Sequence, residues 1–260
     1  MKALCFQPHN DDCAIAVGGV LQRMVRQGWE LTYVYLTDGR HGSDSVPPEK
    51  LVEVRRREAE RERSLLGIKR FFELGMEDGT LEKLNDVRRK WVNEQVESIL
   101  ADSKADLVLL PSRADMHPDH RATHDLVLAV VDKVQPRPLV AKYFVWLLPD
   151  FYQKPSDVAD QVVMVGVDRE MPGKMAAIRA HQSQVSRGSF DSMAQVLNAY
   201  LAYAFRAPAV IGSRYVEVLG LYQPHIHRRV ASELLKAMEP YAEITTMLHG
   251  RTAQGIRGDL

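Results

Sequence analysis

Residues 2–39, KALCFQPHNDDCAIAVGGVLQRMVRQGWELTYVYLTDG, contain the pattern that decides the fold. The segments Lys2–Phe6 and Glu30–Leu36 are apolar and rich in β-branched or aromatic residues, which is typical of strands. The segment Cys13–Gln27 lies between them and is predicted to form a helix, since Gly28 follows it at the usual C-terminal position. A strand, a helix and another strand in this order predict a βαβ unit with parallel strands.

The same alternation continues along the chain. Further strands are predicted at residues 70–74, 105–110, 139–147, 161–167 and 215–219. Helices are predicted to end at residue 66 and to span 81–102, 118–133, 174–184, 190–205 and 228–238. Because apolar strands that alternate with helices form sheets covered on both faces, we expect an α/β fold with a Rossmann-like, doubly wound, mostly parallel sheet. Residues 1–260 then form a single domain with an irregular C-terminal third, in which 221–260 supply a helix and a tail.

Composition limits the partners and the compartment. The chain has 34 Lys+Arg and 34 Asp+Glu, so it lacks the basic excess that nucleic acids and anionic membranes attract. No apolar stretch reaches the roughly 20 residues of a membrane-spanning helix, and the apolar run before Gln7 is too short for a signal peptide. Cys5 and Cys13 offer no disulfide framework. We therefore expect a cytoplasmic protein that binds neither nucleic acid nor membrane.

Histidine and aspartate follow three of the predicted strands, where doubly wound sheets bind their ligands. The three segments are PHNDD at 8–12, TDGRH at 37–41 and MHPDH at 116–120. A catalytic zinc site takes three protein ligands, and one carboxylate with two imidazoles can be drawn from the first and third segments. Asp11 is suited to accept a proton from water, and a further imidazole to donate to an oxyanion.

The segment PHNDD resembles the P-H-P-D-D-E signature of the LmbE-like, or PIG-L, N-deacetylase family, and HPDH at 117–120 resembles its second signature. Further counterparts follow in the order of the family: LTDG at 36–39, RRRE at 55–58, LGMEDG at 74–79, KMAA at 174–177, HQSQ at 181–184 and YVE at 215–217. The series spans about residues 3–220. It is far more specific than any single motif.

The resemblance implies a zinc-dependent hydrolase that removes acetyl from an N-acetylglucosamine-type sugar conjugate, with metal-bound water as the nucleophile. His9, Asp12 and His120 would hold the metal, which is Zn²⁺ or another divalent ion such as Fe²⁺ or Co²⁺. The partner is then a small-molecule amino-sugar conjugate. Members of the family often form homo-oligomers, so this chain is a candidate for one.

The resemblance also implies roles for four other residues. Asp11 would be the general base, and His117 would stabilise the transition state. Arg55 and Asp78 match positions that contact the sugar substrate.

Two residues depart from the first signature. Asn10 stands where the family has proline, which removes the fixed φ of that ring. Cys13 stands where the family has glutamate, which removes a carboxylate and adds a soft ligand beside the predicted metal.

Simpler interpretations apply to several polar residues. Asp119 is predicted to cap the helix that follows it, and residues 53–63 (EVRRREAERER) are predicted to form a solvated helix face with Glu–Arg pairs. His181 and Gln184 are predicted to brace the C-terminal layer as readily as to act in a site. A local trio of His117, His120 and His124 is an alternative metal site, but it leaves both aspartates of PHNDD unexplained.

Two other functions compete with the deacetylase. One is a metal-dependent amidase that acts on a larger amide of a glucosamine conjugate. The other is a relative that binds sugar or metal without catalysis. A nucleotide-binding module is disfavoured, because the chain has neither G-x-G-x-x-G nor a Walker lysine loop.

Overall fold

Strands and helices alternate along most of the chain in the computed structural model, which describes residues 1–145, 161–223 and 226–244. The strands are β1 (Lys2–Gln7), β2 (Glu30–Thr37), β3 (Arg70–Met76), β4 (Leu107–Pro111), β5 (Leu139–Tyr143), β6 (Gln161–Gly166), β7 (Val216–Tyr222) and β8 (Tyr241–Glu243). The helices are α1 (Asp12–Arg26), α2 (Pro48–Leu66), α3 (Asp86–Ser103), α4 (Pro118–Val131), α5 (Met171–Arg179), α6 (Gln182–Gly188), α7 (Phe190–Ala204), α8 (Ala207–Val210) and α9 (Arg228–Ala237), with a 3-10 helix at Leu81–Lys83.

The strands of the described residues form one sheet in the order β3-β2-β1-β4-β5-β7-β6-β8. Neighbours from β3 to β5 are parallel, whereas β7, β6 and β8 extend the sheet with antiparallel pairs. The chain runs outward from β1 to β2 and β3, then returns to place β4 on the other side of β1. The ligand crevice expected at such a reversal therefore lies beyond the carboxyl ends of β1 and β4.

Side chains that alternate along the central strands pack into apolar layers on opposite faces of the sheet. On β1, Leu4 and Phe6 pack with α3 and α4, while Ala3 and Cys5 pack with α1, α2 and α5. Full burial of a large apolar side chain stabilises a fold by roughly 1.5–3 kcal/mol, so these layers hold the strands in place. Helices on both faces confirm the predicted doubly wound, mostly parallel α/β sheet.

The structure differs from the sequence predictions mainly at element ends and in the C-terminal third. The helix predicted at 81–102 is a 3-10 turn followed by α3, because the side chain of Asn85 accepts a hydrogen bond from the Arg88 amide and caps a new helix. The C-terminal third contains the antiparallel strands, of which β8 was not predicted. Residues 146–147 of the strand predicted at 139–147 lie outside the described residues. No helix in the described part of the chain is both long and apolar enough to cross a membrane.

Helix α1 is interrupted at Val17, whose φ of −137° and ψ of 19° are not helical. The Glu217 carboxylate of β7 accepts hydrogen bonds from the Gly19 and Val20 amides at 2.9 and 2.8 Å, so it caps the second segment of α1. The Lys174 ammonium of α5 lies 2.7 Å from the same carboxylate. Two residues of the KMAA and YVE segments therefore form a buried pair that supports α1 away from the loops after β1 and β4.

Candidate metal centre and active site

The loops after β1 and β4 bring histidines and aspartates to one edge of the sheet. His9, Asp11 and Asp12 lie where β1 turns into α1, and Asp11 directly precedes the helix. His117 directly precedes α4, and His120 lies in the first turn of that helix. Because β1 and β4 are parallel neighbours, residues 111 positions apart in sequence meet at this edge.

Three side chains from these loops point at one place. His9 Nδ1 lies 3.3 Å from Asp12 Oδ2, and His120 Nε2 lies 3.2 Å from Asp12 Oδ1. The two imidazole nitrogens are 3.3 Å apart. Ligand atoms that surround a zinc ion tetrahedrally at 2.0–2.2 Å lie about 3.4 Å from one another. The spacing of the two imidazole nitrogens fits one divalent metal ion, and each nitrogen contacts a different oxygen of Asp12.

The protonation of His9 and His120 depends on the Asp12 carboxylate. Burial alone would lower the pKa of both histidines, but the Asp12 carboxylate raises them, to about 9 for His120. The two imidazoles in turn hold the pKa of Asp12 well below its usual range, against the effect of burial. Asp12 also accepts a hydrogen bond from the His9 amide at 2.8 Å, which fixes the carboxylate toward both rings.

Metal uptake by the metal-free protein is expected to release at least one proton per ion at pH 7.5. His120, with a pKa of about 9, is protonated at that pH, and an imidazole must lose its proton to bind a metal. Metal affinity should therefore fall by about tenfold per released proton for each unit of pH below 9. Titration with zinc in a weakly buffered indicator solution measures the release, and uptake without protons would contradict the assignment of His120.

Additional carboxylates contact the far ring nitrogens of His9 and His120. Asp115 Oδ2 lies 3.0 Å from His120 Nδ1, in an ion-pair contact that is not aligned as a hydrogen bond. Asp78 Oδ1 lies 3.1 Å from His9 Nε2, and Asp119 Oδ2 lies 3.6 Å from the same nitrogen. A carboxylate behind a ligating imidazole orients the ring and makes it more basic. Sequence reasoning did not single out Asp115, although its place two residues before HPDH was an available signal.

Asp115→Ala is expected to weaken metal binding by about 10- to 100-fold, because His120 then loses the carboxylate that orients it. Competition with a chromophoric chelator measures this change. Asp125→Ala is the matched control, because it removes an exposed carboxylate from α4, the helix that carries His120. This variant should bind metal as the unmodified protein does. Equal affinity in both variants would show that Asp115 does not support the ligand.

The prediction that Asp119 caps α4 is wrong. Its carboxylate accepts hydrogen bonds from the Gly79 and Leu81 amides at 2.7 and 3.0 Å, so it holds the loop after β3. The cap of α4 is His117, whose Nδ1 accepts a hydrogen bond from the Asp119 amide. Asp119 lies inside the helix end, where its side chain reaches the neighbouring loop and not its own backbone.

His117 lies against both ligand histidines. Its ring centroid is 4.6 Å from that of His9 and 5.0 Å from that of His120, and the three rings form a group whose nitrogens could share a metal. Burial and these two neighbours lower the pKa of His117. Because Nδ1 accepts from a backbone amide, the neutral ring carries its proton on Nε2. His117 is therefore able to donate a hydrogen bond from that nitrogen.

Asp11, the predicted base, is paired with an arginine beneath the site. Arg55 Nη2 donates to Asp11 Oδ1 at 2.8 Å, and both side chains are buried. Burial would raise the pKa of Asp11, but the guanidinium outweighs it and lowers that pKa below its usual value. Asp11 is thus held as a carboxylate next to the metal trio. Arg55 and Asp78, predicted to contact sugar, here contact Asp11 and His9.

The prediction of a solvated face at 53–63 holds for only half of the helix. Glu53 pairs with Arg57 at 2.9 Å on the exposed side of α2. Arg55, Glu58 and Glu62 are buried against the sheet side. Glu and Arg occur at helical spacings on both faces of α2, so the charge spacing alone did not distinguish the buried face from the exposed one.

Comparison with known proteins identifies the family. The family model "PIG-L: GlcNAc-PI de-N-acetylase" matches residues 4–131. A probable N-acetyl-alpha-D-glucosaminyl L-malate deacetylase 2 from Bacillus anthracis is 30% identical over 187 residues, which cover 68% of this chain and 78% of the relative. The chain belongs to the PIG-L family.

Two archaeal proteins extend the likeness of this PIG-L family member beyond the matched region. Diacetylchitobiose deacetylase from Thermococcus kodakarensis is 27% identical over 236 residues, covering 83% of this chain and 81% of the relative. The structure of N,N'-diacetylchitobiose deacetylase from Pyrococcus horikoshii superposes with a TM-score of 0.67 at 26% identity, covering 87% of this chain and 85% of that one. The likeness therefore includes the antiparallel part of the sheet.

A steric reason explains why glycine occupies the last position of the TDG segment in this PIG-L protein. Gly39 has a φ of 67°, in the region that side chains disfavour. A Cβ atom on Gly39 would lie 2.8 Å from Asn10 Oδ1 and 3.1 Å from Arg55 Nε. Glycine thus lets the loop after β2 lie directly over the side chain that pairs with Asp11.

Cys13 and His124 do not join the metal-capable groups of the described residues. Cys13 is buried in the apolar layer with Cys5, and burial raises the pKa of its thiol. His124 Nδ1 lies 2.9 Å from the Pro111 carbonyl, and burial lowers the pKa of His124 to about 4. The groups of described residues whose ligand atoms lie close enough to share an ion are His9, His117 and His120, and His9, Asp78 and Asp119, so His124 belongs to neither.

Proposed function

We propose that this chain is a zinc-dependent N-deacetylase that hydrolyses the acetamide of an N-acetylglucosamine-type sugar conjugate. One observation carries the proposal: the imidazole nitrogens of His9 and His120 lie 3.3 Å apart and each contacts a different oxygen of Asp12 at 3.2–3.3 Å, beside a buried and ion-paired Asp11. The names of two relatives support the substrate class: one is a diacetylchitobiose deacetylase, and the other is a probable N-acetyl-alpha-D-glucosaminyl L-malate deacetylase 2.

The three ligand residues would hold the ion through two imidazole nitrogens and one carboxylate, a donor set that suits zinc. When bound, zinc supplies a Lewis acid that polarises the acetamide carbonyl and makes a water molecule more acidic. Asp115, Asp78 and Asp119 orient the two imidazoles from behind.

Asp11 is the proposed general base. Arg55 occupies its Oδ1 atom, which leaves Oδ2 to take the proton from the attacking water. The ion pair keeps Asp11 unprotonated between turnovers, so the base is ready at neutral pH. After the water has added to the carbonyl carbon, Asp11 returns the proton to the amine nitrogen as the C–N bond breaks.

His117 is the proposed stabiliser of the oxyanion. Its Nδ1 accepts from the Asp119 amide, so Nε2–H is the group that can donate. Negative charge develops on the carbonyl oxygen when water adds, and a fixed donor there lowers the barrier. The predicted sugar contacts of Arg55 and Asp78 stay predictions.

A cytoplasmic location and a small-molecule partner belong to the same proposal. Cys5 and Cys13 are both free and buried, as is usual for proteins of a reducing compartment.

The proposal is tested with purified protein of measured zinc content. N-acetylglucosamine, diacetylchitobiose and N-acetylglucosaminyl malate are offered in turn, and both free amine and acetate are measured. We expect equimolar amine and acetate from at least one compound, with loss on chelation and recovery on adding zinc. Amine without acetate would indicate the amidase that acts on a larger acyl group. No amine from any compound at full metal content would leave a binding protein and overturn the proposal.

A further inference from the structure

Helix α2 buries a charged face directly beneath the proposed base. Arg55, Glu58 and Glu62 follow one another at spacings of three and four, so they share one side of the helix. All three are less than 4% exposed. His181, which directly precedes α6, is fully buried between Arg55 and Glu62. Arg55 is held in this cluster through Nη1 and Nη2, since its buried Nε has no hydrogen-bond partner.

The contacts of His181 fix the position of its proton. Arg55 Nη1 lies 3.3 Å from His181 Nδ1, and because a guanidinium only donates, this nitrogen must be the acceptor. With Nδ1 as the acceptor, the ring proton lies on Nε2. That proton is donated to Glu62 Oε2 at 2.8 Å. Glu62 Oε1 accepts from the Tyr33 hydroxyl at 2.9 Å.

We propose that His181 and Glu62 are positioning residues for catalysis: they hold the Arg55 guanidinium in the orientation that pairs it with Asp11. This inference rests on the proposed function, in which Asp11 is the base. Neither residue touches substrate or metal in this account. Hydrogen bonds run from His181 to Glu62 and from Arg55 to both His181 and Asp11, so a change at Glu62 reaches the base through two intermediates.

The geometry explains why Arg55 needs this support. Its guanidinium is planar, so the direction of Nη2 toward Asp11 is set by what Nη1 contacts. A competing carboxylate, Glu58, lies 3.7 Å from Nη1. Without the acceptor at His181, the guanidinium turns toward Glu58 and draws Asp11 with it. A displacement of about 1 Å in a catalytic group can cost on the order of 100-fold in rate.

Helix α6 restrains the rest of the cluster through its other polar side chains. Ser183 donates to Glu58 from its amide and from its hydroxyl, each at 2.7 Å. These two hydrogen bonds hold Glu58 away from Arg55. Gln184 Nε2 donates to the Gly42 carbonyl in the loop after β2, the loop that covers Arg55. The short helix therefore fixes both the arginine and the loop above it.

The activities of two His181 variants distinguish a positioning role in catalysis from a purely structural role. His181→Leu removes the acceptor and should lower kcat by about 10- to 100-fold, with KM and zinc content unchanged. His181→Gln replaces the ring with an amide that has one acceptor and one donor at a similar separation, so it should restore kcat to within about threefold of the unmodified protein. Glu62→Leu should resemble His181→Leu.

Glu170→Leu is the matched control for Glu62→Leu. Glu170 is an equally buried carboxylate, but it pairs with Arg23 at the far end of α1. The control should lower the melting temperature without changing kcat per zinc-loaded molecule. If His181→Leu, folded and zinc-loaded, keeps kcat within threefold of the unmodified protein, the positioning role is overturned.

A second measurement needs no catalytic activity. Nitrogen-15 NMR of the zinc-loaded, histidine-labelled protein should show a neutral imidazole at His181 with Nε2 protonated; the signal is assigned by its absence in His181→Gln. An imidazolium, or a proton on Nδ1, would overturn the inference. If the unmodified protein releases no amine, the proposed function fails, while the NMR result still decides the arrangement of His181.

Discussion

Asp11→Asn is expected to lower kcat by about 100- to 10,000-fold while the protein keeps its zinc. Asparagine has nearly the same shape but cannot take a proton from water. The substitution also leaves Arg55 without its closest carboxylate, although Glu58 lies 3.7 Å away and limits that cost. Steady-state amine release, divided by the zinc content of each sample, measures the effect.

Glu170→Gln is the control for this experiment. It neutralises another buried carboxylate that is paired with an arginine, at 2.6 Å from Arg23, but outside the crevice. Its kcat should match that of the unmodified protein. A folded, zinc-loaded Asp11→Asn variant with unchanged kcat would remove Asp11 from the mechanism and require another base.

Asp12→Ala is expected to lose the metal and, with it, all activity. A zinc site with four ligands binds with roughly 10–16 kcal/mol, so one ligand accounts for about 3 kcal/mol, a factor above 100 in Kd. Asp12 also accepts from the His9 amide and contacts both imidazoles, so its removal disturbs the other ligands as well. Metal analysis after dialysis, beside activity at saturating zinc, measures both losses.

Asp106→Ala provides the comparison. Asp106 also accepts a hydrogen bond from a backbone amide at 2.8 Å, that of Lys2, but at the opposite end of β1. Its loss should cost stability without changing zinc content. If Asp12→Ala retained stoichiometric zinc through dialysis, a different trio, such as His9, His117 and His120, would have to be the metal site.

The sequence predicted the parts of this molecule that depend on local pattern. Apolar strands and strand-end motifs located β1, β4 and the loops that follow them, where histidines and aspartates meet. Residues that act through distant contacts were harder to recognise. His181 lies 126 positions from Arg55, and nothing in the spacing of either segment shows that they meet. Asp119 illustrates another limit. An aspartate near the start of a helix is predicted to cap it, and the sequence does not show whether the side chain contacts its own backbone or a neighbouring loop.

The interruption of α1 at Val17 divides that helix into two independently supported parts. The first part, which begins with Asp12, is held against β1, where the Cys13 amide donates to Gln7 Oε1 at 3.0 Å, whereas the second is capped by Glu217 and anchored on β7. A substitution that removes the Glu217 carboxylate is therefore expected to loosen the second part of α1 before the first.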